Sequence, residues 1–161
     1  VALSYEYDPC DFLKAKEMQQ KRDSETFKKS QADDLNNMQT GIFGYKGHVH
    51  FQTGPCINEE LEALRGLPKT EVFTQVSALI DRHIHRNYRL YPGNYVACDL
   101  LNGTETFAGK YTPEEKKRFE AYLQKKLDLI QLPNKDEDFL RQRILTMYAN
   151  PAINHLKAIA Q

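Results

Sequence analysis

Apolar and polar positions alternate strictly at the start of the chain. Val1, Leu3, Tyr5 and Tyr7 fall on one face, and Ala2, Ser4, Glu6 and Asp8 on the other. That period of two predicts a β-strand. Its apolar face needs a covering layer, and its backbone needs a neighbouring strand. The sequence opens directly in this strand with no initiating Met, which reads as the later part of a longer chain. Asp8-Pro9 predicts a helix start, with Asp11 also available as a cap. From Asp11 to about Gln39 the chain is polar, anchored by Phe12, Leu13, Met18, Phe27, Leu35 and Met38. It reads as one broken helix or two, interrupted near Asp23-Ser24. Gly41, Gly44 and Gly47 predict a loop. In Gly47–Thr53, Val49 and Phe51 alternate with His48, His50 and Gln52, the pattern of a second strand ended by Gly54-Pro55.

The remaining pattern has a helical period. Asn58 is placed to cap a short helix over 59–65, and Thr70 another over 71–85, where Val72, Val76, Leu79 and Ile80 form a stripe. Pro92 to Leu101 predicts a helix stopped at Asn102-Gly103. Thr112-Pro113-Glu114-Glu115 is a capping-box start, followed by a stripe of Phe119, Tyr122, Leu123, Leu127 and Ile130. After Pro133-Asn134, Leu140, Ile144, Met147 and Tyr148 mark another helix. Pro151 is expected to break it, leaving a short helix to close the chain. The predicted class is α/β in the α+β sense, with few strands and mostly helix. A change of character near Asn87 predicts two parts, residues 1–87 and a helical extension over 88–161.

Composition narrows the function classes. With 40% hydrophobic and 27% charged residues, and 8 Phe with 9 Tyr among 161 residues, the chain can build a core. Its 22 basic and 22 acidic residues cancel, which excludes nucleic acid as the main partner. Cys10, Cys56 and Cys98 are odd in number and form no Cys-x-x-Cys. Reduced thiols in a cytoplasmic compartment follow. No signal peptide or run of membrane-spanning length stands in the sequence. Asn102-Gly103-Thr104 is a glycosylation sequon that matters only in a secreted protein.

Few residues carry chemistry. His48 and His50 share a strand face at metal-pair spacing, but zinc needs three or four ligands and the sequence marks no third. His83 and His85 point about 200° apart on a helix, while Asp81 and His85 share a face as a surface pair. The glycines at 41, 44 and 47 lack the setting of a phosphate loop, and no Gly-x-Ser-x-Gly elbow occurs. Lys14, Lys16, Lys21, Arg22, Lys28 and Lys29 make a basic face, either solvated or facing anionic lipid headgroups. Lys21, Arg22, Lys28 and Lys29 are its candidate lipid contacts. Tyr88, Tyr91 and Tyr95 read as packing at the junction of the two parts. No catalytic residue, metal or cofactor is assigned.

Tyr5-Glu6-Tyr7-Asp8-Pro9-Cys10-Asp11, the helices after it, and Lys46-Gly47-His48-Val49-His50-Phe51 with Gly54-Pro55-Cys56-Ile57 resemble the closing half of a glycerophosphate-type acyltransferase domain. Val49, Phe51, Gly54, Pro55 and Ile57 match that family's late pattern V-x-V-x-F-G-x-P-I, with Thr53 inserted. Asn87–Ala97 and the capped helix after Tyr111 are similar to the C-terminal extension of a bacterial 1-acylglycerol-3-phosphate subgroup. The resemblance implies that the intact protein moves an acyl group from acyl-CoA or acyl-carrier protein to a lysophospholipid, peripherally at the inner membrane face. The family's catalytic motif is His-x4-Asp, but five residues after His48, His50, His83, His85 and His155 stand Thr53, Pro55, Tyr88, Leu90 and Ala160. A Glu-Gly-Thr-Arg phosphate block is also absent. Both precede the opening strand in the family, so truncation is expected and the fragment alone should be inactive. A second reading is a non-enzymatic helical interaction module. A third, weaker, is a metal-dependent enzyme using His48 and His50. The opening strand's exposed face is expected to pair two copies.

Overall fold

The first strand finds its partner within the chain. In a computed structural model describing residues 1–160, β1 (Ala2–Tyr5) pairs antiparallel with β2 (Val49–Gln52), Leu3 opposite Phe51 and Tyr5 opposite Val49. Gln161, the last residue of the predicted extension, lies outside the described residues. β1 is shorter than the alternation predicts, because the ladder slips at Gly47. Glu6 N–H donates to the His48 carbonyl and Tyr7 N–H to that of Lys46, both at 2.9 Å. Gly47 adopts φ 64°, where a side chain is strained. A Cβ there would lie 2.6 Å from Glu6 Oε2. The slip turns Tyr7 off the outer face into the core, against Tyr122 at 4.4 Å between ring centroids.

Seven α-helices among the described residues make up most of the rest, the mostly helical, few-stranded class that the pattern predicts. α1 (Asp11–Asp23) and α2 (Gln31–Phe43) flank the expected interruption. The α1 cap differs from expectation. Cys10 holds the cap position, Asp8 accepts from its N–H at 2.9 Å, and the Asp11 side chain turns inward. A capping box of Ser30 and Asp33 starts α2. That helix continues through Gly41, where a loop was expected, and the Cys10 thiol donates to its Asn37 carbonyl at 3.4 Å. α3 (Asn58–Glu62) begins one residue earlier, and α4 (Lys69–Arg86) two residues earlier, than their predicted caps imply.

α5 (Pro92–Asn102) ends at Gly103 with φ 63°. A 3-10 turn at Ala108–Lys110 precedes α6 (Pro113–Asp128), which starts with the predicted Thr112–Glu115 capping box. α7 runs unbroken over Glu137–Ile159, so Pro151 does not end it. Its neighbours hold the helix on both sides of the proline. Asn94 Nδ2 donates to the Tyr148 carbonyl at 2.9 Å, and the Cys98 thiol to that of Ala149 at 3.6 Å. Beyond it, Arg86 Nε donates to the Ala158 carbonyl at 2.9 Å. Tyr148, Ala149 and Ala152 are buried, and α5 and α7 form the main helix pair. Tertiary burial outweighs the local penalty of about 3 kcal/mol for proline in a helix.

The buried cluster draws on both sides of residue 87. Tyr7 and Ala15 join Val96, Phe119, Leu123, Leu127, Leu140, Ile144 and Tyr148. Gln19, buried on α1, donates to the Asn134 carbonyl at 2.6 Å and accepts from Asp136 N–H at 3.1 Å.

Candidate functional site

The sheet has two unlike faces, and both matter. Ala2 and Ser4 are buried, and Glu6 shares their face with His48 and His50, the His48 ring reaching out to solvent. Small residues let the strand lie close to the segment after α4, where Ser4 Oγ accepts from Arg89 N–H at 2.9 Å. Glu6 Oε2 accepts from His48 N–H at 3.1 Å and lies 2.6 Å from His48 Nδ1. Burial raises the Glu6 pKa, but the ring and backbone hydrogen bonds from His48 outweigh it, holding the carboxyl below its ordinary range. The His48 ring stacks on Tyr91, 6.2 Å between centroids. A histidine held at Nδ1 by a carboxylate presents Nε2 outward. His48, His50, Arg89, Tyr91 and Arg118 share one cavity of about 370 Å³. The spacing predicts one strand face for the two histidines, and both line this cavity. Glu6 was missed; its parity in β1 marked the face, but the register that brings it to His48 is a tertiary fact.

The outer face is apolar and uncovered. Leu3 and Phe51 are opposite one another, as are Tyr5 and Val49; Phe51 is 67% exposed. In an antiparallel ladder with Glu6 bonded to His48, Ala2 and Ser4 are the bonded positions of β1. Leu3 and Tyr5 then aim their backbone groups at a free edge, beside a cleft of about 160 Å³ lined by Tyr88, Met147 and Pro151. α2 buries none of its residues, so Leu35, Met38 and Ile42 form a second exposed apolar stripe.

The basic candidates are largely partnered. Lys21 pairs with Glu17 at 2.6 Å, and Arg22 with both Asp23 and Asp136 at 2.8 Å. Lys29 meets Asp34 at 2.9 Å and Glu17 at 3.4 Å. Lys28 is exposed between α1 and α2. His85 uses its carbonyl to hold the His155 ring at 2.8 Å. Tyr91 is buried and Tyr95 packs on Phe107, 5.5 Å between centroids. All three cysteines are free thiols. Burial pushes the Cys10 thiol up, away from reactivity.

A buried polar cluster went unread in the sequence. Asp11 accepts from Tyr122 and Tyr148 hydroxyls at 2.5 and 2.9 Å and from Phe12 N–H at 2.6 Å, with Lys126 Nζ 3.3 Å away. Burial and Asp11 push both tyrosine pKa values up. With Asp11 fully enclosed, the cluster ties α1 to α6 and α7 and offers nothing to a substrate.

Among the described residues, no group of three or more His, Cys, Asp or Glu is placed to hold a metal ion, and no helix is long and apolar enough to cross a membrane. No protein-family model matches the chain, and neither curated proteins nor solved structures return a match.

Proposed function

We propose that this chain forms the closing part of an acyltransferase-type α/β domain that works in glycerophospholipid synthesis. The uncovered sheet carries this reading. An apolar outer face and a free edge call for a further layer and a further strand, and Val49, Phe51, Gly54, Pro55 and Ile57 of the resemblance lie on and just after β2. The intact protein transfers an acyl group from acyl-CoA or acyl-carrier protein to a lysophospholipid, on the cytoplasmic side at the inner membrane face. The His-x4-Asp pair comes from the parent chain outside these residues. Lys21, Arg22, Lys28 and Lys29 then meet anionic headgroups, and among the described residues only Lys28 of the four pairs with no carboxylate.

The parent reading frame should contain a His-x4-Asp upstream of Val1, and the parent protein should transfer labelled acyl groups to lysophosphatidate. The chain alone should not. A parent without the motif, or one inert with every acyl donor tried, overturns the reading. Sedimentation with anionic vesicles tests the membrane contact; binding that survives Lys28→Glu together with Lys21→Glu counts against it.

The exposed Leu35–Met38–Ile42 stripe favours a second reading, a non-enzymatic interaction module, with two copies meeting through the open sheet. Sedimentation velocity should then show a dimer that Leu3→Lys with Phe51→Lys dissociates. A monomer at all concentrations removes the self-association.

A further inference from the structure

The cavity beside the Glu6–His48 pair gathers basic side chains from three elements. Arg89 stands on the segment between α4 and α5, Arg118 on α6, and His48 and His50 at β2. Tyr91 and Pro92, the cap and first residue of α5, line it too. Two carboxylates oppose this, and both are engaged. Glu6 Oε2 is taken by His48. Glu115 Oε2 accepts from Thr112 N–H at 2.7 Å as part of the α6 cap. Arg118 reaches Glu115 only at 4.0 Å, the limit of an ion pair. Arg89 gives its backbone N–H to Ser4, and its guanidinium pairs with no carboxylate among the described residues. Both arginines thus line one space, and neither has a close carboxylate partner among the described residues.

We propose that this cavity binds a phosphate-type dianion, held by the guanidinium groups of Arg89 and Arg118 with His48 and His50 beside it. Guanidinium forks match the tetrahedral oxygens of a phosphate, and each charge-assisted hydrogen bond adds more than a neutral one. The volume of about 370 Å³ exceeds that of a bare phosphate and leaves room for the group that carries it. Tyr91 supplies a flat wall for that group. The site stands apart from the acyl-transfer reading and needs no acyl donor, so either can fail alone.

The probe is inorganic phosphate, titrated onto the whole chain at low, constant ionic strength. Imidazole and arginine side-chain NMR signals report binding. Saturable shifts of the His48, His50, Arg89 and Arg118 signals are expected. Arg89→Gln and Arg118→Gln should each weaken binding about fivefold, and the double variant more than tenfold, the net worth of an ordinary hydrogen bond at an exposed site. Glu115→Gln keeps a capping-box residue but removes a facing charge, so it should tighten binding about twofold, the size of a screened surface interaction. Both arginines are exposed, and unchanged melting temperatures will exclude unfolding as the cause.

Equal shifts with chloride at matched ionic strength overturn the proposal, as does a double variant that binds as well as the original chain. So does an equal loss on Lys28→Gln, which lies outside the cavity. Vesicles then separate the sources of phosphate. Arginine-dependent recruitment to phosphatidic acid, but not to phosphatidylglycerol, identifies a lipid phosphomonoester. Phosphate binding without recruitment identifies a soluble one.

Discussion

Replacing Asp11 with Ala tests the physics that joins the two ends of the chain. Asp11 accepts from two tyrosine hydroxyls and one backbone N–H, and its charge faces Lys126 at 3.3 Å. Breaking a buried ion pair by removing one partner costs about 3–5 kcal/mol. The remaining groups are partly rescued here. Tyr122 and Tyr148 keep each other at 2.9 Å, and Tyr148 still accepts from Asp8 N–H at 2.9 Å. Lys126 keeps the Pro9 carbonyl at 3.2 Å and the ring of Phe12 at 4.9 Å. The loss therefore falls at the lower end, about 3 kcal/mol at neutral pH, or about 6–12 °C in melting temperature for a chain this long.

Urea unfolding followed by circular dichroism measures it, and its pH dependence has a definite sign. Burial raises the Asp11 pKa above its ordinary 3.8, against the lowering effect of Tyr122, Lys126 and Tyr148. A pKa raised by folding means that the fold favours the protonated acid. That contribution is complete below the unfolded value and is lost as pH rises through the folded one. The penalty of Asp11→Ala should thus be larger in mild acid than at neutral pH. A neutral-pH loss below about 1 kcal/mol, the worth of one ordinary hydrogen bond, or a penalty that grows with pH, would refute this account.

Three further substitutions probe single elements. Thr112→Ala removes the side chain that accepts from Glu115 N–H at 3.2 Å and should lower stability by about 1 kcal/mol, with Thr112→Ser restoring it in a thermal melt. Gly47→Ala forces a side chain into φ 64° and against Glu6 and Tyr7; a loss of about 1–3 kcal/mol is expected in urea, and wild-type stability would show that the bulge is not formed. Pro151→Ala should raise stability by about 1–3 kcal/mol, because it restores a donor to the Met147 carbonyl within a continuous α7; a destabilised variant would mean that the proline is required.

Much of the element list was legible in local chemistry. The Thr112-Pro113-x-Glu115 start, the Gly103 stop and the two alternating strands are decided within a few residues, by which groups satisfy which N–H and C=O. Pro151 was misjudged for a physical reason. Its penalty is local, while the compensation comes from Asn94, Cys98 and Arg86, tens of residues away. Gly41 was misread because α2, begun by the Ser30–Asp33 capping box, carries through it.

The candidate site divides in the same way. Alternation alone placed His48 and His50 together on one strand face, because a strand has a period of two. Which partners they meet was beyond it. Glu6 reaches His48 only through the antiparallel register and the slip at Gly47, and Arg89 and Arg118 arrive on elements whose positions depend on how α5, α6 and α7 share one core. Local pattern determines what each element presents. Only the tertiary structure decides what each presented group faces, because long-range pairing is set by the collective burial of the core and not by neighbours in the chain.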